Sequence, residues 1–252
     1  MSEVYRSASY RVARSRWIPQ GPTPTGWKWI FHGASLTFGT SGGGTTITTV
    51  LSGLRPSDTI VNKGNGTGVQ TSDLVAEFPT AVAPLYDPSK NNVIFFWDGA
   101  LNTIDFNTPP FGNQNASAAG ALSEANGYAD LARSYGFRVH AITVLPAIDG
   151  DLDPVTFPAM LRSYNDLLRA NYSHFDGLVN PATDPTFNTA DTSIYFDNSP
   201  DIARVHLTAA GYTFLATTWL NPYMTLIAAG TVPTLLPVVR SARSGRNTLL
   251  RL

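Results

Sequence analysis

The sequence predicts an α/β protein of three layers, in which a parallel sheet lies between two layers of helices. Short apolar runs rich in β-branched and aromatic residues alternate along the chain with longer segments of helical periodicity. Strands that alternate with helices in this way form a parallel sheet with both faces covered. The chain has 252 residues, of which 43% are apolar, and this is enough for one large domain with a full core.

Five runs are predicted as strands because each is short, apolar and closed by turn residues. They lie at 27–31, 58–62, 92–97, 137–146 and 175–180. Helices are predicted at 43–54, 71–85, 117–135, 157–173 and 207–228. Parallel sheets bind ligands beyond the carboxyl ends of their strands. Chemistry is therefore expected in the turns that follow the first three strands and in the loop before His206.

The composition excludes several functional classes. The chain has no cysteine, which excludes a disulfide scaffold, a cysteine nucleophile and a thiolate metal site. It has only four histidines, which argues against a multi-histidine metal centre. A formal net charge of −1 argues against nucleic-acid binding. No apolar stretch has the form of a signal peptide or a membrane span, so the chain is expected to be soluble. Neither a metal nor an organic cofactor is implied.

The charges divide the chain into three regions: a basic N-terminal arm (1–26), a central domain (27–228) and a C-terminal extension with a basic tail (229–252). Residues 1–28 and 240–252 together carry nine basic residues and one acidic residue, whereas the remainder carries eight basic and 17 acidic residues. One interpretation is that the ends are solvated tails. The other is that basic arms dock on the acidic bodies of neighbouring subunits, which would give a homo-oligomer.

Two segments carry the parts of a nucleophilic site. Ser35 directly follows the first buried strand in a tight turn of small residues, which exposes a hydroxyl at the top of a sheet. His206 lies just before the last predicted helix, and Asp201 lies five residues upstream of it. A serine, a histidine and an aspartate form a set of nucleophile, base and orienting acid.

Four ordered segments, at 33–39, 62–74, 99–103 and 205–212, resemble the sequence blocks of the SGNH (GDSL) hydrolases. The first reads Gly-Ala-Ser-Leu-Thr-Phe-Gly, with Ala34 where the family has aspartate. The last contains His-Leu-Thr-x-x-Gly-Tyr, with Ala203 where the family has its acid. The resemblance covers about residues 27–228 and identifies the chain as a divergent member with a flavodoxin-like sheet.

The resemblance implies a serine esterase that hydrolyses carboxylic esters. Ser35 would be the nucleophile and His206 the base, with Asp201, or alternatively Asp197, as the acid. The oxyanion hole would be formed by the backbone N–H groups of Ser35 and of Gly68, or alternatively Gly66, and by the side-chain amide of Asn102. These donors would stabilise the charge that develops during acyl transfer.

The substrate is expected to be a small ester: a lipid, a short acyl ester or an acetylated sugar. His32 and Asp98 stand beside the first and third blocks and are candidate substrate contacts, and Asp98 is alternatively a turn-stabilising residue. The competing functional hypothesis is a non-catalytic binding or assembly protein that retains the fold, because fold alone does not determine function.

Overall fold

The computed structural model describes residues 23–66, 68–98, 117–146, 156–187, 194–197 and 206–231. Within these ranges the strands are β1 (Trp27–Gly33), β2 (Thr59–Gly64), β3 (Asn91–Trp97), β4 (Arg138–Ile142) and β5 (Gly177–Val179). They form one parallel sheet in the order β2-β1-β3-β4-β5. This is the flavodoxin-like order, so the predicted fold class is confirmed.

Helices form at every segment where the periodicity predicts them. They are α1 (Ser35–Phe38), α2 (Ile47–Leu54), α3 (Thr71–Ala81), α4 (Ala118–Ser134), α5 (Thr156–Ala170), α6 (Ala209–Phe214) and α7 (Asn221–Ala228). Short 3₁₀ turns follow α3 at Ala83–Leu85 and α5 at Tyr172–His174. No helix within the described ranges is long and apolar enough to cross a membrane.

The sheet separates two apolar cores, because successive side chains of a strand point to opposite faces. On one face, Ile30 and Ile94 pack with residues of α3, α4 and α5. On the other face, Trp29, Phe31 and Phe95 pack with residues of α2, α6 and α7. All five side chains are fully buried. The strands are therefore apolar at nearly every position, as the runs in the sequence predict.

The last predicted helix is continuous but changes its winding in the middle. A π-helical stretch, Leu215–Leu220, connects α6 to α7. The N–H of Asn221 donates to the carbonyl of Ala216, five residues earlier. The next residue, Pro222, has no N–H, and its ring would collide with the carbonyl four residues before it in an α-helix. The wider winding relieves this collision.

The strand register aligns the carboxyl ends of β1, β2 and β3. Gly33 at the end of β1 pairs with Gly64 of β2 and with Trp97 of β3. A Cβ atom on Gly33 would lie 2.0 Å from the Trp97 carbonyl oxygen, so only glycine fits between these strands. The turns after β1, β2 and β3 consequently start side by side.

Within the described residues, the regular elements run from Trp27 to Ala228. Residues 1–22 of the predicted arm and 232–252 of the predicted tail lie outside the described residues. The expected docking of the arms on another subunit therefore stays a prediction.

Candidate active site

Ser35 is the first residue of the one-turn helix α1, two residues after the end of β1. The helix is capped at its C-terminus by Gly39, whose φ of 100° is in the left-handed region that glycine adopts without strain. The Thr37 hydroxyl donates to the carbonyl oxygen of Trp97 at 3.2 Å and ties α1 to the end of β3. These constraints hold the partly exposed Ser35 side chain at the carboxyl edge of the sheet.

The side chain of His206 contacts Ser35 at the carboxyl edge of the sheet. Its Nε2 lies 2.8 Å from Ser35 Oγ, which is a hydrogen-bond distance. Two features fix its backbone. Leu207 forms an antiparallel bridge with Phe196, and the side chain of Thr208 caps α6 by accepting from the N–H of Gly211 at 3.2 Å. The structure thus brings together the predicted nucleophile and base.

Asp197 adjoins this bridge and lies across from His206. Its backbone N–H donates to the carbonyl oxygen of His206 at 2.8 Å. Side chains of directly opposed residues in an antiparallel pair project on the same face of the pair. The expected acid, Asp201, lies outside the described residues.

The second block folds against the nucleophile turn. The backbone N–H of Asn65 donates to the carbonyl of Gly33 at 2.9 Å. Gly68 has a φ of 72°, a conformation that favours glycine. Gly66 lies under the ring of Phe38, where a Cβ would come within 2.8 Å of a ring carbon. Asn102 of the third block lies outside the described residues.

His32 is buried in the core rather than exposed at the strand end. Its Nδ1 lies 2.6 Å from the hydroxyl of Tyr128, and its Nε2 lies 2.9 Å from Oε1 of Glu77. Both ring nitrogens are occupied, and the side chain has no exposed surface. This placement favours a structural or positioning role over the expected contact with substrate.

The protonation of this cluster follows from its burial. Burial lowers the pKa of His32 despite the opposing effect of Glu77, so the ring is neutral at neutral pH. Burial also raises the pKa of Tyr128, which keeps its proton. The Tyr128 hydroxyl therefore donates to Nδ1, and the protonated Nε2 donates to the Glu77 carboxylate.

Asp98 is also buried, directly after β3. Its carboxylate accepts from the hydroxyl of Thr71, the first residue of α3, at 2.7 Å. Its backbone carbonyl accepts from the hydroxyl of Tyr164 at 3.3 Å. These contacts link the end of β3 to α3 and α5. Whether Asp98 contacts substrate or stabilises the turn stays a prediction.

A cavity of about 610 Å³ opens beside the nucleophile turn, between the second block and α3. Phe38, Lys63 and Glu77 are among the residues that line it. Sequence reasoning does not single out Glu77 or Tyr128, because 45 and 96 residues separate them from His32. Within the described ranges, no cluster of three or more histidine and acidic side chains could hold a metal ion.

Comparisons with known proteins agree with this architecture. No protein-family model matches the chain, and no curated protein matches it. Many solved structures are similar in fold, and the following three are among them. A member of the lipolytic G-D-S-L family from Veillonella parvula has a TM-score of 0.58 at 20% identity, covering 75% of this chain and 94% of its own. A GDSL-like lipase from Bacteroides thetaiotaomicron has a TM-score of 0.57 at 17% identity, and the alignment covers 81% of this chain and 87% of the lipase. A catalytic mutant of an acetylxylan esterase from Geobacillus stearothermophilus has a TM-score of 0.56 at 19% identity, and the alignment covers 77% of this chain and 92% of the esterase.

Proposed function

We propose that this chain is a serine esterase of the SGNH type that hydrolyses carboxylic esters of short acyl groups. The observation that carries the proposal is the 2.8 Å separation of Ser35 Oγ from His206 Nε2 at the carboxyl edge of the sheet. A serine next to a histidine base is the arrangement that activates a hydroxyl for attack on a carbonyl. The lipolytic and acetylxylan esterase neighbours support the same class of reaction.

The proposed reaction has two halves. In the first, Nε2 of His206 removes the proton of the Ser35 hydroxyl while Oγ attacks the ester carbonyl carbon. The tetrahedral intermediate collapses, the bond to the alcohol oxygen breaks, and Nε2 returns the proton to the leaving alcohol. In the second, Nε2 of His206 removes a proton from a water molecule that attacks the carbonyl carbon of the acyl-serine. The bond to Ser35 Oγ then breaks, Nε2 returns the proton to Oγ, and the carboxylic acid leaves.

The oxyanion of the intermediate needs preorganised donors. The backbone N–H of Ser35 is in the first turn of α1 and so has no partner within that helix. We assign the other donors to the backbone N–H of Gly68, with Gly66 as the alternative, and to the side-chain amide of Asn102. Loss of one such donor typically costs about 2.7–4 kcal/mol of transition-state stabilisation.

A carboxylate is expected to orient the imidazole and to stabilise its protonated form. Asp201 is the expected acid, since it lies five residues upstream of His206. Asp197 is the alternative, and its position across from His206 beside the antiparallel bridge supports it.

The test is turnover of p-nitrophenyl acetate by the full chain. We expect measurable hydrolysis that Ser35→Ala lowers by several orders of magnitude without changing the melting temperature by more than a few degrees. Ser134→Ala, at the end of α4 and the opposite edge of the sheet, is the matched control and should retain full activity.

Wild-type turnover in Ser35→Ala would refute the proposal. The proposal would equally fail if neither this ester nor longer acyl esters were hydrolysed by the wild-type chain. A non-catalytic binding protein would then be the better interpretation.

A further inference from the structure

Asp98 lies where several parts of the proposed active site come together. It directly follows β3 and is 4% exposed. The nucleophile turn contacts the residue before it, because the Thr37 hydroxyl donates to the Trp97 carbonyl at 3.2 Å. The third block, with the proposed oxyanion donor Asn102, begins at the residue after it, Gly99. A contact made by Asp98 can therefore affect more than one part of the site.

The carboxylate of Asp98 holds the start of α3. Its Oδ2 accepts from the hydroxyl of Thr71 at 2.7 Å, and Thr71 is fully buried. Thr71 is the first residue of α3. A hydrogen bond to a carboxylate is about twice as strong as one between neutral groups. This contact therefore fastens the N-terminus of α3 to the end of β3.

Asp98 is itself fixed by α5. The hydroxyl of Tyr164 donates to the backbone carbonyl of Asp98 at 3.3 Å. Burial raises the pKa of Tyr164, and the negative charge of Asp98 raises it further, so the phenol keeps its proton and remains a donor. Asp98 thus presents Thr71 with an acceptor whose position is set by the rest of the fold.

The segment between β2 and α3 is consequently held at both ends. At its start, the N–H of Asn65 donates to the carbonyl of Gly33 at 2.9 Å, which ties it to the nucleophile turn. At its end, Thr71 is tied to Asp98. Gly68, the first candidate for the second oxyanion donor, lies between these two anchors, three residues before Thr71. Supporting hydrogen bonds of this kind keep the groups of a site in a productive geometry.

An oxyanion donor has to be placed accurately, because it must point at the position where the negative charge develops. A displacement of about 1 Å in a catalytic site can cost about 10²-fold in rate. We propose that Asp98 is a positioning residue for the oxyanion hole: through the Thr71 hydroxyl it holds the N-terminus of α3 and thereby the backbone N–H of Gly68. The inference rests on the proposed function, since it requires an oxyanion, and it gives Asp98 no contact with substrate.

Thr71→Val tests the contact, because valine keeps the shape of threonine and removes the hydroxyl. We expect kcat for p-nitrophenyl acetate to fall about tenfold to 10²-fold with KM unchanged, since a displaced donor weakens the transition state and not the bound substrate. Thr71→Ser keeps the hydroxyl and should retain kcat within about twofold. A role in packing alone predicts the reverse order, because serine loses the buried methyl group and valine does not.

Phenylboronic acid gives an independent measurement, because a boronic acid forms a tetrahedral, negatively charged adduct with a serine hydroxyl and so resembles the transition state. Its inhibition constant should rise in Thr71→Val by about the factor by which kcat falls. Asp98→Asn should change both quantities in the same direction but by less, because the amide oxygen still accepts from the hydroxyl without the charge. This second variant carries the test if Thr71→Val does not fold.

Asp87→Asn is the matched control. The carboxylate of Asp87 also accepts from a hydroxyl, that of Ser89 at 2.6 Å, but it lies before β3, at the opposite end of the strand. Its kcat and its inhibition by phenylboronic acid should equal those of the wild type.

Wild-type kcat in folded Thr71→Val, or in Asp98→Asn where that variant replaces it, would overturn the inference and leave the proposed esterase standing. A rise in KM at constant kcat in Asp98→Asn would also overturn it, because Asp98 would then be a contact of the bound substrate. Absence of ester hydrolysis by the wild-type chain is a different result: the proposed function fails, and the inference fails with it.

Discussion

Nε2 of His206 lies 2.8 Å from Oγ of Ser35, although 171 residues separate the two in the chain. The serine is placed by the end of β1 and the helix that follows it. The histidine is placed by the bridge between Leu207 and Phe196 and by the cap of α6. Separate parts of the fold thus hold the serine and the histidine at hydrogen-bond distance from each other.

Ser35 and His206 should act as a unit. Each single alanine variant should lower kcat for p-nitrophenyl acetate strongly, by up to about 10⁶-fold as in other serine hydrolases. The double variant should be no slower than the worse single variant, because either change already disables the nucleophile. Steady-state kinetics of the three variants measures this. Additive losses in the double variant would mean that the two residues serve separate functions.

A fluorophosphonate probe should label the wild-type chain at Ser35 alone. The rate of labelling should fall in His206→Ala, since the unassisted hydroxyl is a weak nucleophile. Peptide mapping by mass spectrometry identifies the modified residue. Ser41→Ala, in the loop after α1, is a suitable control and should label at the wild-type rate. Labelling of another serine in the wild type would contradict the assignment.

Substitution of the carboxylate that orients His206 should lower kcat, and this effect identifies the residue. Asp201→Asn is expected to lower kcat by about 10²–10⁴, by analogy with other triads. If Asp197→Asn has this effect and Asp201→Asn has none, the residue opposite His206 is the acid. If both variants keep wild-type kcat, the enzyme works with serine and histidine alone. The two variants are matched in chemistry, so each serves as the control of the other.

Asn102 should act on the transition state. Its amide is expected to meet the developing oxyanion, so Asn102→Ala should lower kcat by about 10²–10³ with little change in KM. Asn107→Ala, a change of the same kind a few residues further along the chain, should leave both constants unchanged. A rise in KM at constant kcat would instead show that Asn102 binds the ground state.

His140 should make the stability of the protein depend on pH. Burial, with a smaller effect of Arg138, lowers the pKa of His140 to about 3, whereas the unfolded chain has a value of about 6.5. Between these two values the unfolded chain binds a proton that the folded chain does not. The free energy of unfolding should therefore fall as the pH drops below about 6.5, by up to about 1.4 kcal/mol per pH unit. Above about pH 6.5, protonation of His140 no longer changes the free energy of unfolding.

Urea unfolding of the wild type and of His140→Gln at pH 7 and pH 5 measures this effect. Glutamine does not titrate and can still hydrogen-bond to the hydroxyl of Tyr223, which lies 3.0 Å from Nδ1 of His140. The wild type should lose more stability than the variant on going to pH 5. Parallel losses in the two proteins would show that His140 is not the group responsible.

Much of the fold follows from the sequence alone. The apolar runs identify the five strands seen in the described part of the chain, and the helical periodicity identifies the helices between them. Both patterns depend on neighbours within one element. The segments around Ser35 and His206 are recognisable for the same reason: each block is local. Glycine at 39 likewise reports a local need for a positive φ, whereas glycine at 33 is required by the close approach of Trp97 from a neighbouring strand.

Only the tertiary structure decided which distant side chains meet. His32 appears in the sequence as a residue at a strand end, yet it is buried between Glu77 of α3 and Tyr128 of α4. Asp197 lies across from His206 because the neighbouring residues Phe196 and Leu207 form an antiparallel bridge. The cavity of Phe38, Lys63 and Glu77 also needs three elements to pack together. These arrangements depend on the packing of helices on the sheet, and no short-range pattern of residue types encodes that packing.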